Sequence, residues 1–320
     1  MKEKSAKIKI RPPEPDEYAQ VIKCITEARG AGYYSKEFYD IEYLSSGEHE
    51  IYSAFDDNGI MVGVTGISAS PFETEKSMLS LLNIRPQYTG KGIGSELLCY
   101  SVDLLQSRGA GSVKGQVITR YTSIQKVLEG LGLKPTGILP DIRDGRNAVP
   151  PAQGKCSLAV YVRSFSAVKT KKIFIPGYTL NIAEIIYSDL GKTISICTDG
   201  ASASANEIKQ IYDPHDDVLL SQVKECSFDL ADHLDNLSIQ HHSLGNKTEL
   251  VFLNLCSPSA ICGFESLKNK GYVFCGLNPL GDFENAIFFR GKSRSEKPEM
   301  TERLTLLYNS LSEVGYLEHT

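Results

Sequence analysis

The densest chemistry in this 320-residue sequence lies in Gln87-Tyr88-Thr89-Gly90-Lys91-Gly92-Ile93-Gly94-Ser95, which joins a strand-like run ending Ile84-Arg85-Pro86 to an amphipathic stretch. At such a junction the unpaired N–H groups of the first helical turn and the positive end of the helix dipole converge on one concavity. That is an anion site, and the glycines at 90, 92 and 94 permit unusual dihedrals and keep side chains out of the way of a phosphate oxygen. A Walker A loop needs Gly-Lys-Ser/Thr, but Lys91 precedes Gly92. The dinucleotide fingerprint needs Gly-x-Gly-x-x-Gly, and the spacing here is Gly-x-Gly-x-Gly.

The elements that must position this loop follow from the pattern around it. Lys7 to Arg11 alternates like an opening strand, and Pro12-Pro13-Glu14-Pro15 stops it before a helix around Glu17 to Arg29. Strands are predicted over Glu50 to Phe55 and Met61 to Ile67, joined by a turn at Asn58-Gly59, then over Ser77 to Ile84. After the loop, Ile93, Leu97, Leu98, Val102 and Leu105 form one helical stripe that ends at Gly109. A strand over Ser112 to Ile118, a helix over Ser123 to Leu131 and strands over Lys134 to Leu139 and Ser157 to Val162 complete a mixed α/β unit. The second half repeats the end of the first. Leu128, Gly132, Gly137 and Pro140 are matched by Leu267, Gly271, Gly276 and Pro279 at a constant offset of 139, and Asn147-Ala148 by Asn285-Ala286 at nearly the same distance. Strand Leu250 to Leu255 and helix Ala260 to Lys268 fall where a repeat needs them, and the basic run Val168 to Lys172 reads as a solvated connector.

The segment Gln87-Tyr88-Thr89-Gly90-Lys91-Gly92 resembles the acetyl-CoA pyrophosphate loop, Gln/Arg-x-x-Gly-x-Gly/Ala, of the GNAT superfamily of N-acetyltransferases. The resemblance implies an α/β (α+β) fold with a mixed, mostly antiparallel sheet flanked by helices. It implies an acyl-CoA-binding domain at 1–166 and, from the repeat, a diverged copy without a phosphate loop at 167–320. It also implies that the strand ending Ile84-Arg85-Pro86 splays from its neighbour and offers backbone groups to the pantetheine arm. Leu82, Ile84, Gln87, Tyr88, Thr89, Gly90, Lys91, Gly92, Ile93, Gly94 and Ser95 would then hold acetyl-CoA or another short acyl-CoA. Ser123 and Lys126 join them, since Ser123-x-Gln125-Lys126 and Leu131-Gly132-Leu133-Lys134-Pro135-Thr136-Gly137 are similar to a family helix and closing strand. Carrying the offset back places Cys226 to His233 opposite Gln87 to Gly94, with Asp229 and Asp232 at a helix start where phosphate would be repelled.

The expected chemistry is transfer of the acyl group to an amine of a small molecule or a protein, by direct attack in a ternary complex. A lysine-type amine sits about three pKa units above neutrality, so deprotonating it is equivalent to roughly 4 to 5 kcal/mol. Glu73, Glu75 and His49 are the candidate acceptors of that proton. Leu128 stands where many family members place the tyrosine that protonates the leaving thiolate, and Tyr121 is the substitute at hand. Tyr33, Tyr34, Tyr39 and Tyr43 suggest an aromatic-walled acceptor pocket. The alternative is a non-catalytic acyl-CoA-binding or sensing module, or an interaction protein that forms a homodimer.

Composition narrows the classes. The net charge of −5 argues against a nucleic-acid backbone or an anionic membrane surface as the main partner. No apolar run approaches the roughly 18 residues of a membrane span, and Met1 to Lys7 lacks a secretory apolar segment, so a cytoplasmic protein is expected. The eight cysteines contain no Cys-x-x-Cys pair, the histidines form no His-Glu-x-x-His, and adjacent His241-His242 cannot share a face, so neither a disulfide framework nor a metal is expected.

Overall fold

The computed structural model describes residues 8–145, 154–165, 171–239, 248–280, 283–291 and 299–315. It divides into two compact units, the first running to Gly115 and the second comprising Gln116–Gly145 and the described residues from 154 onward. The repeat positions Asn147-Ala148 and the pair His241-His242 lie outside the described residues. Among those residues, no helix is long and apolar enough to cross a membrane.

The first unit carries β1 (Lys9–Arg11), α1 (Tyr18–Arg29), α2 (Ile41–Ser45), β2 (Glu50–Phe55), β3 (Met61–Ala69), β4 (Lys76–Ile84) and α3 (Ile93–Ser107), and it ends within β5 (Ser112–Ile118). Strands β1 to β4 pair antiparallel in chain order, and β5 joins β4 in parallel. The β2–β3 turn forms as Asn58-Gly59 predicts. Asp56 Oδ1 accepts from the N–H groups of Asn58 and Ile60, and Gly59 takes a φ of 75°. Strand alternation divides the core between the two faces. On one face α1 and α2 bury Val21, Cys24, Ile25 and Leu44 against Ile51, Phe55, Met61, Val64 and Leu81. On the other, Ile93 and Leu97 of α3 pack on Ala54 and Val62, beside Leu82, Ile84 and Tyr88. That second contact fixes the start of α3 against the end of β4.

The second unit carries α4 (Thr122–Gly130), β6 (Lys134–Asp144), β7 (Lys155–Ser164), β8 (Lys171–Phe174), α5 (Leu180–Asp189), β9 (Ile194–Cys197), β10 (Glu207–Asp213), β11 (Val218–Glu225), α6 (Leu230–Ile239), β12 (Thr248–Asn254), α7 (Ala260–Asn269), β13 (Val273–Leu280), β14 (Phe283–Arg290) and α8 (Glu302–Glu313). Its main sheet runs β7-β6-β13-β14-β12-β11-β10, with β11 and β12 parallel and the other neighbours antiparallel, while β8 and β9 form a separate parallel pair. The whole is α/β, with mixed, mostly antiparallel sheets flanked by helices. The helix α6 joins parallel β11 and β12 after antiparallel β10, as α3 joins β4 and β5 after β3.

The offset glycines meet in space. Gly137 of β6 pairs with Gly276 of β13, and a Cβ on Gly276 would lie 2.5 Å from the Gly137 Cα. Glycine is required because the two backbones touch. Of the expected connector at 168–172, residues 168–170 lie outside the described residues, while Lys171 and Lys172 open β8 and Lys171 Nζ lies 3.4 Å from the buried carboxylate of Glu284. All eight cysteines are free thiols, four of them buried. The helix α8 docks through its first residues, Thr301 N–H donating to Gln125 Oε1 at 3.0 Å and Gln125 Nε2 to the Glu299 carbonyl at 3.2 Å.

Candidate functional site

The loop after β4 begins with Arg85, whose N–H donates to the Val62 carbonyl and whose guanidinium lies 3.2 Å from Glu27 of α1. Pro86–Tyr88 form one 3-10 turn. The chain then passes through two left-handed glycines, Gly90 at φ 80° and Gly92 at φ 85°, the latter serving as the N-cap of α3. Neither has an atom within 4 Å of where a Cβ would stand. The first N–H after them to find a backbone acceptor is that of Glu96, which donates to the Gly92 carbonyl. Those of Gly90 to Ser95 have no backbone acceptor among the described residues, so a row of donors without backbone partners stands at the positive end of α3.

Gly94 differs from its sequence expectation. It has no positive φ, because it lies inside α3, and an added Cβ would only touch Ile84 and Leu82 at 3.7 and 4.0 Å. Lys91 and Gln87 are exposed, and Lys91 Nζ lies 5.0 Å above the ring of half-buried Tyr88, whose hydroxyl donates to Asp56 Oδ2 at 3.2 Å. Thr89 and Ser95 are exposed beside them, and Ile93 is buried beneath the helix start.

Upstream, β4 is broken by a bulge. Its register with β3 runs Gly63↔Ile84 and Val64↔Asn83, then Gly66↔Ser80, so one residue is extra. Leu81 absorbs it at φ 53°, a conformation a leucine keeps only when its surroundings hold it there. Those surroundings include Asn83, which is 1% exposed: its Nδ2 donates to the Leu81 carbonyl at 2.8 Å and to Tyr34 Oη at 3.2 Å. Arg29 at the end of α1 donates to Asn83 Oδ1 at 3.3 Å and to the Leu82 carbonyl at 3.4 Å. The ladder to β5 covers only Met78↔Lys114 and Leu79↔Gly115, so the bulge and the half-buried Leu82 and Ile84 lie beyond it.

A row of half-buried rings stands beside the bulge. Tyr33 contacts Tyr34 at 4.7 Å, Tyr34 contacts Phe38 at 5.2 Å, and Phe38 contacts both Tyr43 and His49 at 5.4 and 4.9 Å. The spacing of tyrosines found this wall but missed Phe38 at its centre. Tyr39 is a brace, its hydroxyl donating to the Gly30 carbonyl at 3.0 Å and accepting from Gly32 N–H at 3.1 Å.

The candidate proton acceptors separate. His49 lies on the wall, within 3.4 Å of Ser80 Oγ, and burial holds its imidazole below the usual histidine range. Glu73 is tied instead to Lys114, 3.6 Å away and only 4% exposed, whose ammonium burial pushes below the usual lysine range. Glu75 is exposed in the turn before β4. Tyr121, Ser123 and Lys126 belong to the second unit, where Tyr121 is the N-cap of α4 and Ser123 and Lys126 lie exposed on that helix. Leu128, on the same helix, is 2% exposed.

The segment Cys226 to His233 has another chemistry. Asp229 accepts from Asn206 Nδ2 at 2.9 Å and from the Ser227 hydroxyl, and these bonds hold its carboxyl below the usual range. Asp232 pairs with Lys270. The preceding strand β11 pairs with β12 from Val218↔Thr248 to Val223↔Leu253. Among the described residues, no group of three or more His, Cys, Asp or Glu could hold a metal ion.

No curated protein matches this sequence. Among solved structures, the ribosomal-protein-S18-alanine N-acetyltransferase of Escherichia coli is 14% identical, with 51% of this chain and 97% of that one covered at a TM-score of 0.41. The ribosomal-protein-S5-alanine acetyltransferase of Vibrio fischeri is also 14% identical, covering 51% and 95% at 0.42. The protein yncA of Salmonella typhimurium, solved with its cofactor acetyl-CoA, is 13% identical, covering 52% and 98% at 0.41. The family description "Acetyltransferase (GNAT) family" matches residues 18–120, the stretch that holds the aromatic wall, the bulge and the glycine loop. Residues 18–120 of this chain are thus the stretch that matches the acetyltransferase (GNAT) family.

Proposed function

We propose that this chain is an acyl-CoA-dependent N-acyltransferase that moves an acetyl or other short acyl group to an amine of a small molecule or a protein, by direct attack in a ternary complex. The observation that carries the reading is the row of unpaired N–H groups from Gly90 to Ser95 behind two left-handed glycines. Such a cradle fits the two negative phosphates of a CoA pyrophosphate. Gln87, Tyr88, Thr89 and Lys91 line it. Leu82 and Ile84, beyond the ladder to β5, are the proposed seat of the pantetheine arm. The half-buried wall of Tyr33, Tyr34, Phe38 and Tyr43 would receive the acceptor.

In this reading the domains are 1–166, which binds acyl-CoA, and 167–320, a diverged copy without a phosphate loop. The order antiparallel β10–β11, α6, parallel β12 supports the second copy. Its carboxylates at Asp229 and Asp232 argue against a phosphate there. One observation favours a non-catalytic sensor instead: buried Leu128 stands where the family tyrosine would donate a proton. Thiol release from acetyl-CoA with a panel of amines decides between them, because turnover with any amine excludes a sensor alone. Failure of acetyl-CoA to raise the melting temperature would sink both.

A further inference from the structure

His49, just before β2, is held between two hydroxyl groups. Its Nδ1 lies 3.4 Å from Ser80 Oγ on β4 and its Nε2 lies 3.3 Å from Tyr43 Oη on α2. The ring of Phe38 covers it at 4.9 Å. Ser80 is the residue before the bulge, and its hydroxyl has room there only because β3 carries Gly66 opposite: a Cβ at Gly66 would fall 2.8 Å from Ser80 Oγ. A glycine inside a strand weakens it, so a hydroxyl is accommodated at a cost in stability. From Ile84 back to Ser80 is about 13 Å of strand, so a pantetheine arm laid along β4 from the glycine loop brings its thioester toward the bulge and Ser80.

We propose that Ser80, His49 and Tyr43 form a hydroxyl–imidazole–hydroxyl relay that takes the proton from the acceptor amine; the proposal rests on the acyl-transfer reading above. In the resting relay Ser80 donates to Nδ1 of a neutral ring, and Nε2–H donates to Tyr43 Oη. As the acceptor ammonium gives one proton to Ser80 Oγ, the Ser80 proton moves to Nδ1 and an imidazolium forms. The freed amine lone pair then attacks the thioester carbonyl. The C–S bond breaks, the thiolate leaves with the electron pair and takes the second amine proton, and the imidazolium returns its proton to solvent. One ammonium and one thioester thus yield one amide, one thiol and one released proton.

The other candidate proton acceptors are otherwise engaged, Glu73 with Lys114 and Glu75 with solvent. The charged and titratable groups facing the relay are Glu48 beside His49, Lys76 from β4, and Tyr43 with Glu37 near it. Glu48 raises the affinity of the ring for a proton and Lys76 lowers it, while burial lowers it most.

The test uses the full chain and the variants His49→Gln, Ser80→Ala and Tyr43→Phe. Long-range 15N–1H spectra, with the His49 signal assigned by its loss in His49→Gln, should show a neutral Nε2–H tautomer at pH 7. An Nδ1–H tautomer or an imidazolium at that pH overturns the relay whether or not any amine is turned over. With tyramine as the probe amine, His49→Gln should lower kcat/KM for thiol release by about 10²- to 10⁴-fold and remove the inflection on the acid side of the profile. Ser80→Ala should lower the rate and retain that inflection. All three variants should keep the parent's melting shift with acetyl-CoA. If the parent shows no shift, the acyl-CoA reading fails; if the shift is kept and the pH profile of His49→Gln matches the parent's, the relay alone fails.

Discussion

Replacing Gly92 with alanine and with glutamate separates the backbone requirement of the loop from its role as an anion site. At φ 85° a residue with a Cβ is strained by roughly 1 to 2 kcal/mol, and the stiffer unfolded chain returns about 0.4 to 1 of that. No atom lies within 4 Å of the added Cβ, so no steric penalty is added. Gly92→Ala should therefore lose about 1 kcal/mol, or about 2 to 4 °C in melting temperature. The glutamate carries the same strain, but its charge at the N-cap of α3 recovers about 0.3 to 1 kcal/mol. Without ligand, Gly92→Glu should thus melt with or slightly above Gly92→Ala. Acetyl-CoA at one hundred times its dissociation constant adds about 2.7 kcal/mol to the parent, roughly 5 to 10 °C. A carboxylate about 4 Å from one phosphate charge opposes binding by about 1 kcal/mol in full hydration and about 4 near a protein surface, and a pyrophosphate presents two such charges. The assay is thermal melting with and without acetyl-CoA. Gly92→Ala should keep most of the shift and Gly92→Glu should lose it. A Gly92→Glu protein that shifts like the parent refutes the anion site, whatever its own stability.

Three further outcomes are expected. Leu128→Ala should cost about 2 to 5 kcal/mol in chemical denaturation while changing any acyl-transfer rate less, because the side chain is 2% exposed packing; a large rate loss at unchanged stability would contradict this. Gly276→Ala should fail to fold or melt far below the parent, since its Cβ would overlap Gly137, and parental melting would show that β6 and β13 do not meet there. Burial holds His49 below its unfolded value, so its neutral state contributes stability above about pH 6.5 that is lost as pH falls through the lower folded value. Melting curves from pH 7 to pH 5 should fall less steeply for His49→Gln than for the parent, and equal slopes would remove that contribution.

Local chemistry made much of the fold legible. The Asn58-Gly59 turn, the stripe from Ile93 to Leu105 and the Gly90-Lys91-Gly92 run each specify their own conformation within a few residues, and each forms as predicted. The bulge at Leu81 was not legible, because the Asn83 that bonds the Leu81 carbonyl is itself held by partners distant in sequence, Arg29 and Tyr34. Gly66 likewise looks like any strand glycine until Ser80 Oγ is seen opposite. His49 and Glu73 were equivalent as bare titratable residues, and only the lysine buried beside Glu73 and the hydroxyls beside His49 distinguish them. The charged run before residue 172 read as connector because a buried partner such as Glu284 leaves no mark near Lys171 in sequence.

The most direct measurement of the central claim is a crystal structure of the full chain with CoA. The account predicts pyrophosphate oxygens within hydrogen-bonding distance of the N–H groups between Gly90 and Ser95, the thiol end near the Leu81 bulge, and no CoA at Cys226 to His233. A pyrophosphate bound anywhere else, or a second CoA at the start of α6, would contradict it.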